Sequence, residues 1–248
     1  MMLKNKQNTI NVSHKKKYNK TLLCDKTTLP EIIYQNALTD PDKVIFTDFK
    51  TNLTYTNTTL LKKIYTIANE LENVSKTGDR IALLYTSGFD FIPAFLACLF
   101  SNRVAVPLFA SQNKKYIESL KSIFNDCTPQ AILTTTRYQE KYIVKYLDLL
   151  HFNHENICLT DTIQHKSTEH LIKPLTIQGI AFIQYTSGST ADPKGVMVSH
   201  ENLIHNMSLI KEATDVKKDS RNVTWLPHYH DMGLITGLLQ PLYSNVTH

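Results

Sequence analysis

From about Thr28 onward, short runs of β-branched and aromatic residues alternate with longer stretches whose apolar positions recur every three or four residues. Six runs predict mostly buried strands: 43–48 (KVIFTD), 80–85 (RIALLY), 104–109 (VAVPLF), 130–135 (QAILTT), 156–160 (NICLT) and 179–185 (GIAFIQY). Between them, residues 56–72 place Leu60, Leu61, Ile64, Ile67, Ala68 and Leu71 on one helical face, with Lys62, Lys63 and Glu70 elsewhere. Residues 114–124 and 139–150 behave similarly, and the unbroken apolar run 91–100 predicts a buried helix. Strands alternating with helices predict an α/β layered fold. No internal repeat is visible, so residues 21–248 are expected to form one structural unit.

The composition, 42% hydrophobic and 20% charged, is that of a globular protein with room for a sizeable core. The run 91–100 is about half the roughly 20 residues needed to cross a bilayer, and it contains Pro93, so no transmembrane segment is expected. The first 20 residues hold lysines but no apolar core of the secretory kind, which makes the cytoplasm the expected location. Cys24, Cys98, Cys127 and Cys158 lie far apart with no C-x-x-C pair, and suggest neither a disulfide framework nor a zinc site.

The formal charge of +5 is unevenly spread. Residues 1–20 contain six lysines and no acid, leaving 21 basic against 22 acidic residues in 21–248. The basicity belongs to a polar leader, expected to be disordered, with weak attraction to anionic surfaces as the alternative. A near-neutral body argues against a nucleic-acid partner.

The segment Gln184-Tyr-Thr-Ser-Gly-Ser-Thr-Ala-Asp-Pro-Lys-Gly-Val-Met-Val-Ser-His200 follows an apolar strand and has the chemistry of a polyphosphate cradle. Thr186, Ser187, Ser189 and Thr190 supply hydroxyl donors, Gly188 lets backbone N–H groups approach an anion, and Lys194 adds a positive charge. It is not a Walker A loop, because proline precedes the lysine and a β-branched run, not a helix, follows. With only Gly188 and Gly195 it is not a dinucleotide turn either. A surface turn rich in small residues is the remaining alternative.

A second cluster, Trp225-Leu-Pro-His-Tyr-His-Asp-Met-Gly-Leu-Ile235, crowds two histidines and an aspartate under an aromatic rim. A metal site fits poorly, since Asp231 comes one place too early for the H-x-H-x-D-H pattern. His200 and His205 are one residue too far apart for H-E-x-x-H, and a spacing of five sets them roughly 140° apart around a helix. Trp225 and Leu226 read equally as core or as site residues, and Tyr229 is left open.

The loop YTSGSTADPKGVMVSH resembles the phosphate-binding signature of the adenylate-forming superfamily, which includes acyl-CoA synthetases, luciferases, peptide-synthetase adenylation domains and fatty acyl-AMP ligases. This chain has Ala191 where most members have glycine. Leu53-Thr-Tyr55, the segment GDRIALLY ending at Tyr85 and LACLFSNRVAVPLFA (97–110) also resemble early blocks of the family, so the similarity covers nearly all of 21–248. The combination H-D-M-G-L looks most like the fatty acyl-AMP ligase branch.

The resemblance implies an N-terminal part of the layered large domain of adenylate-forming enzymes, incomplete. It also implies ATP and Mg²⁺ as cofactors and a fatty acid as substrate. An acyl carrier protein would be the acceptor, with coenzyme A as the runner-up. Thr186, Ser187, Gly188, Ser189, Thr190 and Lys194 would bind the nucleotide phosphates. His230 would be the catalytic residue, with Trp225, Asp231, Met232 and Gly233 beside it in the substrate pocket. Adenine- and ribose-contacting motifs and the lysine of the mobile C-terminal domain have no counterpart in the sequence, so the isolated chain is expected to be inactive. A long-chain acyl-CoA synthetase, a peptide-synthetase adenylation domain and a non-catalytic truncated remnant are the other readings.

Overall fold

A computed structural model describes residues 27–85, 88–109, 114–143, 150, 152–164, 178–186 and 193–248. The basic leader at 1–20 lies outside them. The central element is a six-stranded sheet in the order β6-β5-β3-β4-β7-β8. These strands are β3 (Arg80–Leu84), β4 (Val104–Leu108), β5 (Ala131–Thr134), β6 (Ile157–Leu159), β7 (Ile180–Thr186) and β8 (Lys194–Ser199). All neighbours pair in parallel except β7 and β8, which form an antiparallel hairpin. A separate two-stranded antiparallel ribbon joins β1 (Val44–Thr47) to β2 (Thr54–Thr56). The backbone N–H of His248 donates to Ile45 O and that of Thr47 to His248 O, so the last residues run alongside β1.

The largely apolar composition of the central strands follows from burial on both faces. In β3, Ile81 and Leu83 join one apolar layer, while Ala82 and Leu84 point into the other. The first layer is built with helices α1 (Leu29–Thr39), α2 (Asn57–Val74), α3 (Phe91–Phe100) and α6 (His200–Thr214). The second layer is built mainly with α4 (Lys114–Cys127) through Leu120, Ile123 and Phe124, and with Tyr138 of the short α5 (Thr136–Tyr138).

Helix starts are set by local chemistry. Thr56 caps α2 by accepting from Thr59 N, and the Thr59 hydroxyl accepts in return from Thr56 N. Ser199 and Asn202 make the same reciprocal cap for α6. Every residue of α3 is buried, and Pro93 sits in its first turn, where no intrahelical N–H bond is lost.

All six expected strands are present, as are the buried helix and the helices beginning near 56 and 114. The expected helix 139–150 is instead π-helical over Gln139–Ile143, and residues 144–149 lie outside the described set. The elements that the hydrophobic pattern does not predict include α1, the three-residue β2 and α6. No helix among the described residues is long and apolar enough to cross a membrane.

Candidate functional site

The hydroxyl-rich segment connects two strands. Thr186, the last residue of β7, pairs across the hairpin with Lys194, the first of β8. Thr186 thus ends β7 at the carboxyl edge of the parallel strands, the edge at which open α/β sheets bind ligands. Ser187, Gly188, Ser189 and Thr190 lie outside the described residues; Thr186 and Lys194 are both exposed at the loop's base. Gly195 faces Tyr185 in the hairpin, and a Cβ there would stand 2.8 Å from Ile183 Cγ2 and 3.1 Å from Tyr185 Cζ. A side chain at the glycine after the lysine would have to displace the Ile183 side chain and shift the Tyr185 ring. The Tyr185 hydroxyl donates to the Asp126 carboxylate on α4, and burial together with this bond pushes the phenol's pKa up.

The second cluster forms a tight turn entering a helix. His230 N donates to Pro227 O at 3.1 Å, and Leu234 N to His230 O at 2.8 Å. The π-helical segment Gly233–Leu239 and helix α7 (Gln240–Ser244) follow, anchored by buried Leu234, Leu238 and Leu239. A Cβ on Gly233 would lie 2.1 Å from Pro227 O, so the turn closes only over glycine. Asp231 Oδ1 accepts from Met232 N at 2.7 Å and stands 2.5 Å from His230 Nδ1. Nδ1 can donate a hydrogen bond to that carboxylate, and the two side chains are 67% and 63% exposed.

The two histidines of the turn part company. His228 packs its ring 5.9 Å from that of Phe91, and burial pushes its pKa down to about 4, with His248 adding to the effect. His230 instead borders a cavity of about 350 Å³ at the carboxyl ends of β4 and β7. The same cavity is bordered by Thr186 and Pro193 at the base of the hydroxyl-rich loop, and by Tyr229 and Asp231. The structure thus brings Thr186, His230 and Asp231 around one space, with Lys194 adjoining Pro193. Trp225, Met232 and Gly233 do not border this cavity. Trp225 is 88% exposed and belongs to no core. His200 is buried and His205 exposed on α6, so they share no ligand set. Among the described residues no group of three or more His, Cys, Asp or Glu is placed to hold a metal ion.

Several residues that build the cavity were not singled out from the sequence. Phe109 lies 4.7 Å from the Tyr229 ring, centroid to centroid, and its backbone N–H donates to the Tyr116 hydroxyl at 2.9 Å. Burial pushes the Tyr116 phenol up to about 12. Gln184 Nε2 donates to Tyr229 O at 2.7 Å and joins β7 to the turn. A polar residue within AFIQY was a legible signal for Gln184; nothing in the helical pattern of α4 marks Tyr116.

Comparison with known proteins gives this geometry its context. Residues 33–248 match the family described as AMP-binding enzyme. The chain belongs to the AMP-binding enzyme family. Among relatives of this AMP-binding enzyme is the medium-chain-fatty-acid–[acyl-carrier-protein] ligase JamA of Moorena producens. It is 38% identical over 191 residues, covering 75% of this chain and 32% of the relative. The long-chain-fatty-acid–AMP ligase FadD32 of Mycolicibacterium smegmatis is 35% identical, covering 72% of this chain and 29% of the relative. The crystal structure of a fatty acyl-adenylate ligase from L. pneumophila, in complex with acyl adenylate and pyrophosphate, superimposes with a TM-score of 0.78 at 31% identity. That match covers 89% of this chain and 38% of the other. The α/β architecture is accordingly that of the N-terminal part of adenylate-forming enzymes. The chain spans about a third of the length of the relatives it matches.

Proposed function

We propose that this AMP-binding chain carries the phosphate-side and acid-side walls of a ligase that activates a fatty acid with ATP. The carboxylate oxygen attacks the α-phosphate, an acyl-AMP forms and pyrophosphate leaves. The observation that carries this reading is the single cavity bordered both by Thr186 and Pro193 of the loop base and by His230 and Asp231 of the turn.

Adenylation must bring two anions together, so its catalysis is mainly positioning and charge neutralisation. Thr186, Ser187, Gly188, Ser189, Thr190 and Lys194 hold the β- and γ-phosphates in this reading. His230, oriented through Nδ1 by Asp231, faces the carboxylate. Leu108, Phe109 and Ile123 give the same cavity an apolar lining that suits an alkyl chain. The oxygen donors beside it, the Thr186 hydroxyl and the Asp231 carboxylate, suit Mg²⁺ only in company with phosphate oxygens, where the ion supplies charge neutralisation.

The acceptor proposed is the thiol of an acyl carrier protein, by analogy with the Moorena relative, whose name states that acceptor. The test joins this chain to the complementary portion of that ligase and incubates the product with ATP, Mg²⁺ and medium- and long-chain fatty acids. Mass spectrometry is expected to find acyl-AMP, consumed on addition of holo-carrier protein. Direct acyl-CoA formation would reassign the acceptor, and no adenylate with any fatty acid would sink the reading.

A further inference from the structure

We propose that Gln184 is a positioning residue whose side-chain amide fixes the Tyr229–His230 turn to the strand leading into the hydroxyl-rich loop. One hydrogen bond then sets the spacing between the phosphate-side and acid-side walls. The significance of that spacing rests on the function proposed above; the bond itself does not.

Gln184 is 8% exposed and interrupts an otherwise apolar strand. Its Nε2 donates to the backbone carbonyl of Tyr229 at 2.7 Å, one residue before His230, while the next two residues of its own strand, Tyr185 and Thr186, border the cavity. The turn's other ties do not register it against β7. His230 N to Pro227 O and Leu234 N to His230 O are internal to the turn and its helix, and the Tyr229 ring rests on Phe109 of the β4 end. Gln184 also carries a penalty, because its Oε1 is buried with no hydrogen-bond partner. A buried acceptor without a partner destabilises, and an apolar side chain of the same length would avoid that loss. Methionine would remove that unpaired acceptor but would also leave Tyr229 O without its donor, so glutamine is kept for the bond that places the turn.

The inference is tested on the full chain with Gln184→Met. Hydrogen exchange of the His230 and Leu234 amides should accelerate about 10-fold, the effect of losing one hydrogen bond's support, while β7 and β8 amides keep their protection. The thermal midpoint should change little, because the unpaired Oε1 is lost together with the bond to Tyr229 O. Unchanged exchange in the turn, or a drop in midpoint with loosening spread over the whole sheet, would overturn the assignment. Should Gln184→Met fail to fold, Gln184→Asn keeps the amide but falls one methylene short of Tyr229 O, and is read the same way. Titration with pyrophosphate and with a non-hydrolysable acyl sulfamoyl-adenosine gives the second readout. The variant should lose about 10-fold for the acyl compound with pyrophosphate affinity intact; equal loss for both would contradict selective placement of the acid-side wall. If the wild-type chain binds neither probe but the exchange difference holds, the functional reading falls and the role of Gln184 in placing the turn stands.

Discussion

His200 opens α6 and is 4% exposed, with neither ring nitrogen finding a hydrogen-bond partner. Burial alone pushes its pKa down to about 4, from an ordinary value of 6.5. Between those values the unfolded chain binds a proton that the folded chain refuses. Folding stability is therefore complete above about pH 6.5 and drains as pH falls towards 4, by on the order of 3 kcal/mol at the end of that window. His228 and His248, also shifted down by burial, add to the same trend, while Asp90, shifted up by burial, opposes it. Comparing wild type with His200→Phe isolates the His200 share. Urea midpoints followed by circular dichroism at pH 7.5 and pH 5 should separate less in the variant; an identical separation would show that another group carries the dependence.

At the scale of elements, the turn at 227–233 closes over a glycine. Gly233→Ala would press a methyl group against Pro227 O, so stability should fall by about 1–3 kcal/mol, the usual range for overpacking, and His230 should leave its place. Gly88→Ala, where a Cβ meets nothing within 4 Å, is the matched control and should be neutral. Equal effects of the two changes in denaturant unfolding would contradict this account of the turn. The same turn shows where legibility in the sequence ends. Strands such as RIALL and AILT were readable because both faces are buried, which leaves mostly apolar residues, and α2 because its buried face repeats at helical spacing. The hydroxyl-rich loop was readable because its chemistry is local. The cavity was only half readable: Tyr116 of α4 and Phe109 of the β4 end reach it through the sheet's crossovers, which no local pattern encodes. Leu29–Thr39 escaped notice as a helix although Thr28 caps it and Pro30 sits in its first turn, because its buried residues, Leu29, Pro30, Ile33 and Ala37, make a short and interrupted stripe.

For the whole molecule, the parallel order of β3, β4, β5, β6 and β7 sends their carboxyl ends to one edge, and the antiparallel β8 starts from that edge so that Lys194 stands opposite Thr186. That topology brings Thr186, paired with Lys194, to one cavity with His230 and Asp231. The central claim is that the edge so built binds polyphosphate, and calorimetric titration of pyrophosphate into the 248-residue chain tests it most directly. The account predicts saturable binding that Lys194→Ala weakens about 10- to 100-fold, the cost of one charged hydrogen bond to phosphate, while Lys217→Ala, at a residue that follows α6 and does not border the cavity, changes nothing. Binding that is absent from the wild type, or that Lys194→Ala and Lys217→Ala weaken equally, would contradict it.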